Sequence, residues 1–140
     1  MTDCQTHAPE TAPAAARPVP ARAQLANGCV PGLLAVMAEA PALAEGYATL
    51  SPIFEKAELS ETERQIILMT NTRLTGCSFC MVAHTTICGR KGAPDDVIRA
   101  LRAGTERGDP RPEAFCRFAV VINETRGWPS DGEAEAFLGA

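Results

Sequence analysis

Thirteen residues, GCSFCMVAHTTIC at 76–88, hold three of the chain's six cysteines and one of its two histidines. Cys77, Cys80, His84 and Cys88 follow the spacing Cys-x2-Cys-x3-His-x3-Cys. Two thiols three residues apart can cycle between dithiol and disulfide. An imidazole one helical turn away can take a thiol proton, directly or through a water. Cysteine and histidine also build zinc sites, and helical geometry separates the two chemistries. At ~100° per residue, Cys80, His84 and Cys88 all fall within roughly 60° of Cys77, on one stripe. A single zinc draws its ligands in to about 2.0–2.3 Å. Along an unbroken helix, Cys77 and Cys88 are separated by roughly 16 Å of rise. The run MVAHTTI contains no glycine or proline to break that helix. A shared metal is therefore disfavoured, a zinc-stabilised module is the last of the readings, and no cofactor is expected.

Cys77 and Cys80 lie at a helix start, just after Gly76. Amides at a helix N-terminus, together with the macrodipole, stabilise a thiolate and lower a cysteine's pKa. His84 follows Cys80 at i+4, so nucleophile, second thiol and base occupy a turn and a half. A plainer reading stands beside this one, because cysteine is also a small core residue. Cys88, one turn further on, is expected to pack, and Cys116 to join the core of its own helix. Cys4 and Cys29 receive no role. His7 is expected to be solvated. Glu63 has the residue type of a catalytic acid, but a helix cap accounts for it.

These residues need elements to hold them. Ser60-x-x-Glu63 is a capping box opening ETERQIILMTNTRL, a helix apolar all round between Ile66 and Met69 and so buried on most sides. Gly76 ends it. The cysteine helix closes at Arg90, Lys91 and Gly92. Pro94-Asp95-Asp96 opens a helix ending at Gly104, with Val97, Ile98 and Leu101 inward. Asp109-Pro110 opens another through Arg126, with Phe115, Phe118, Ala119 and Ile122 as its apolar stripe. Ser130-x-x-Glu133 caps a last short helix. Upstream, Pro31–Ala40 is a short apolar segment. Pro41 to about Lys56 is a helix with Leu43, Tyr47 and Leu50 on one side and a potential kink at Pro52. No alternating strand pattern and no repeat occurs, so the fold class is all-α.

Composition bounds the rest. The chain has 140 residues, 46% of them hydrophobic, enough for one domain with a modest core. A net charge of −4 gives no electrostatic case for nucleic acid or an anionic membrane surface. No apolar run approaches the ~20 residues a membrane span needs. Residues 1–26 read as a Pro/Ala-rich disordered arm, and 27–140 as a single helical domain. The arm's acids and prolines do not make a secretory signal, so the cytoplasm is the expected compartment.

The segment LSETERQIILMTNTRLTGCSFCMVAHTTICGRKGAPDDVIRALRAG, residues 59–104, resembles the alkylhydroperoxidase D-like / carboxymuconolactone decarboxylase superfamily. The marks are the Leu-Ser-x-x-Glu-Arg helix start, Cys-x-x-Cys-x-x-x-His, and the helix Pro-Asp-Asp-Val-Ile-Arg-Ala-Leu-Arg-Ala-Gly. The resemblance implies a helical bundle assembled as a homo-oligomer, a trimer or a hexamer. It implies a thiol-dependent peroxide reductase in which Cys80 is the peroxidatic thiol and Cys77 the resolving one. His84 then serves in proton relay, and a dithiol or lipoyl-bearing protein is the electron donor. Gln65 stands where the peroxidase branch carries a relay glutamate, and glutamine cannot take a proton at ordinary pH. Relatives commonly continue beyond the point where this chain reads AFLGA, into a further helix. Two rival readings remain. One is a carboxymuconolactone decarboxylase-like lyase, a branch that characteristically lacks the cysteine pair. The other is a non-catalytic, redox-responsive helical oligomer.

Overall fold

The computed structural model describes residues 4–105 and 108–140. Among the described residues the chain is all-α, with eight helices and no strand. They are α1 (Pro18–Asn27), α2 (Gly32–Met37), α3 (Pro41–Phe54), α4 (Glu61–Leu74), α5 (Ser78–Arg90), α6 (Asp95–Ala103), α7 (Pro110–Glu124) and α8 (Asp131–Leu138). Among the described residues no helix is long and apolar enough to cross a membrane. The helices group into two compact units, Met1–Ala57 and Glu58–Ala140.

The first unit differs from the arm expected over 1–26. Residues 1–3 of that arm lie outside the described residues, but Pro18–Asn27 is helical. Its prolines sit in the first turn, where backbone amides have no partner within the helix and a missing N–H costs nothing. Alanine, the best helix former, fills much of the rest. Gly28 closes α1 at φ 75°, its amide bonding back to the Gln24 carbonyl. Ala12, Ala16 and Ala38 make a small core. His7 is buried rather than solvated: Nδ1 lies 3.1 Å from the Thr11 carbonyl, and Nε2 pairs with the Glu39 carboxylate. That pair joins residues 32 apart, a contact that local composition cannot forecast. α3 continues through Pro52 without ending there. Its stripe of Leu43, Tyr47 and Leu50 is exposed.

The second unit is built on α4. Ser60 Oγ accepts from the Glu63 amide, and the Glu63 carboxylate accepts from the Ser60 amide, so two otherwise unpaired donors are satisfied together. α4 packs against α5, α6 and α7, and α8 packs against α7. Ile66 and Met69 are fully buried in a core with Cys88, Ile98, Leu101 and Phe115. Fully burying a side chain of this size contributes roughly 1.5–3 kcal/mol relative to exposure. Helix ends fall where glycine permits a left-handed residue: Gly76 at φ 65° separates α4 from α5, and Gly104 at φ 70° caps α6. The helices expected after Ser60, Pro94, Asp109 and Ser130 are all present as α4, α6, α7 and α8. α7 stops at Glu124, two residues short of its expected end.

Candidate functional site: a capped cysteine pair and a half-buried histidine

α5 opens on sulfur. Cys77 is its N-cap, extended at φ −77° and ψ 95°, and its Sγ accepts from the Cys80 amide at 3.2 Å. Spacing alone put Cys77 on the helix; it sits one residue outside, because a cap must leave helical dihedrals to turn its side chain onto the first-turn amides. Cys77 and Cys80 are joined as a disulfide, with Cα atoms 5.3 Å apart. Both cysteines are half-buried. The first turn of α5 contains no acidic residue, so its amides and dipole face the sulfurs unopposed by a carboxylate. Helix-start amides of this kind are an environment that stabilises a sulfur anion.

His84 lies four residues after Cys80, one turn along the same face. Its Nδ1 is 3.1 Å from Gln65 Oε1 on α4. Burial pushes the His84 pKa below its ordinary value of 6.5 by desolvating the charged form. The imidazole is therefore neutral near pH 7 and able to accept a proton. Gln65 is itself buried, and its Nε2 donates to Glu61 Oε1 at 3.0 Å. Arg64 Nη2 donates to the other Glu61 oxygen at 2.9 Å. The Arg64 and Gln65 hydrogen bonds hold the Glu61 carboxyl below the usual carboxylate range. A chain of contacts thus runs from a guanidinium through a carboxylate and an amide to the imidazole. Its carboxylate end borders a cavity of about 100 Å³ whose lining includes Glu61, Gln65, Cys88 and Lys91.

Cys88, on the same stripe one turn further along, is buried and packs its sulfur 3.6 Å from Met69 Sδ. Desolvation pushes its thiol pKa up, the opposite of what a nucleophile needs. Cys116 is partly buried and bonded to Thr70 Oγ1 at 3.0 Å, while Cys4 and Cys29 are exposed. Glu63 serves its cap and also accepts from Arg111 Nε at 2.7 Å. The structure thus gathers Gln65 and His84 directly, and Cys77 and Cys80 directly, with one helical turn between the two pairs. Glu61 was missed by sequence reasoning. Its position at i−4 from Gln65, one turn back on α4, was the available signal.

Residues 41–107, from the start of α3 to just beyond α6, match the model of the carboxymuconolactone decarboxylase family. No curated protein matches the chain at a significant level.

Proposed function

Starting from the match of residues 41–107 to the model of the carboxymuconolactone decarboxylase family, we propose that this protein is a thiol-dependent peroxide reductase. The observation that carries the reading is the Cys77–Cys80 pair at the head of α5, with a neutral imidazole one turn on. In the reduced enzyme, His84 takes the Cys80 proton and the helix start stabilises the thiolate. The thiolate attacks one peroxide oxygen and the O–O bond breaks. The alkoxide leaves as alcohol with the proton from the histidine, and Cys80 becomes a sulfenic acid. Cys77 attacks the Cys80 sulfur, forming the disulfide and releasing water. A dithiol donor restores both thiols in two exchange steps and ends as its own disulfide. The sum is peroxide plus dithiol giving alcohol, water and donor disulfide. Phe79 and Val82, exposed beside the pair, supply an apolar surface for that donor. The exposed α3 stripe supports assembly into a homo-oligomer, which size-exclusion chromatography with light scattering reads directly.

Peroxide consumption with a dithiol donor tests the mechanism. Cys80→Ser should fall to the uncatalysed background. Cys77→Ser should leave a Cys80 sulfenate that a dimedone-type probe traps. Full turnover by Cys80→Ser would exclude the scheme. The family match itself favours a second reading, lactone decarboxylation. Decarboxylase activity that survives alkylation of both cysteines would select it. Disulfide formation without turnover would select a redox switch, which Gln65, unable to relay a proton, would suit.

A further inference from the structure

Gln65 has a side chain whose two ends are nearly isosteric but opposite in hydrogen-bonding character, so what fixes its orientation decides the chemistry of whatever faces it. On one side is Glu61, an ionised carboxylate and therefore an acceptor only, with Gln65 at 3.0 Å. The amide nitrogen must point there. A flipped amide would set its oxygen against a Glu61 carboxylate oxygen and lose that hydrogen bond. The remaining oxygen, Oε1, can only accept, and two donors face it: His84 Nδ1 at 3.1 Å and, weakly, the Cys88 thiol at 3.9 Å. A neutral imidazole carries one proton. If that proton is on Nδ1, Nε2 holds the free lone pair.

We infer that Glu61 is a positioning residue that acts through the Gln65 amide to keep the His84 proton on Nδ1, leaving Nε2 as the nitrogen that receives the Cys80 proton. The assignment of Nε2 to Cys80 rests on the peroxidatic reading; the tautomer does not. The arrangement also gives Gln65 a use that needs no titration of its own: it transmits the direction of a carboxylate one turn away. Arg64, bonded to the opposite oxygen of Glu61, keeps that carboxylate in place. Glu61 touches neither sulfur nor substrate in this scheme and is not a catalytic residue.

The test reads the tautomer itself. The ¹⁵N shifts of the His84 ring, recorded by long-range proton–nitrogen correlation in full-length oxidised protein at a pH where the ring is neutral, distinguish Nδ1–H from Nε2–H. His7→Gln removes the only other histidine signal. The wild type should be predominantly Nδ1–H. Glu61→Gln, whose new amide can face Gln65 with either end, should lower the ratio of Nδ1–H to Nε2–H by about fivefold, the size of one net hydrogen bond. The exchanged pair E61Q/Q65E should return the ring to Nδ1–H, since a carboxylate at 65 accepts from Nδ1 and an amide at 61 donates to it. A predominantly Nε2–H wild type would overturn the inference, as would an unchanged ratio in Glu61→Gln or failure of the exchanged pair to restore it. Peroxide turnover measured on the same samples keeps the two claims apart. A tautomer that responds in a protein without turnover leaves the positioning standing and removes the peroxidase.

Discussion

Two helix starts in the second unit do the same structural job with different atoms. At α4, Ser60 Oγ accepts the Glu63 amide and the Glu63 carboxylate accepts in return. At α5, Cys77 Sγ accepts the Cys80 amide and nothing is returned. Sulfur is a weaker acceptor than a hydroxyl oxygen. The first turn of α4 carries Glu61 and Glu63, which answer the helix dipole; the first turn of α5 carries no acid. The α4 start is therefore built for stability. The α5 start keeps its positive end available to a sulfur anion. Reactive groups are commonly found where local stability has been given up in this way.

The contrast can be challenged at decreasing scale. The largest effect belongs to the core beneath both starts. Ile66→Ala should lower unfolding free energy by about 2–5 kcal/mol, seen as a drop in the denaturant midpoint, because Ile66 is fully buried under α4. Next come the caps. Ser60→Ala should cost about 1 kcal/mol. Cys77→Ala, compared with wild type under reducing conditions, should cost only a few tenths of that scale, and Cys77→Ser should be neutral or stabilising because serine is a preferred cap. Equal losses in Ser60→Ala and Cys77→Ala would erase the distinction between the two starts.

The smallest effect is a pH dependence. The folded-state His84 pKa lies below its ordinary value of 6.5, so between the two values the unfolded chain binds more protons than the folded one. Stability from this residue is complete above about pH 6.5 and declines as pH falls through that window. Denaturant melts of oxidised wild type and His84→Gln, at neutral and mildly acidic pH, should converge as pH drops. A constant gap would mean that burial does not set the protonation of this ring.

Much of the frame was legible because it is written in local chemistry. Capping boxes at Ser60 and Ser130 and glycines at 76, 92 and 104 mark helix ends through backbone rules that need no tertiary information. The cysteine–histidine stripe follows from helical spacing in the same way. α1 was not legible as a helix: PVPARAQLAN has no apolar stripe, and its prolines read as linker although the first turn tolerates them. His7 was misjudged because its partner Glu39 is distant in sequence. Gln65 stood out as a departure from a family pattern, yet its contact with His84 crosses from α4 to α5, and only helix packing brings the two together. Glu61 went unread because its meaning depends on that crossing.

α8 contains no fully buried residue, and its principal anchor is Phe137, stacked on Phe118 at 4.3 Å and edge-on to Phe115 at 5.2 Å. A segment held by one ring can lift away without the rest melting. Its amides would then exchange with deuterated solvent through a partial opening, well ahead of those in α4. Each such excursion would briefly bare Phe115 and Phe118, so the foldedness of α8 sets how often the unit shows a sticky aromatic face to its surroundings.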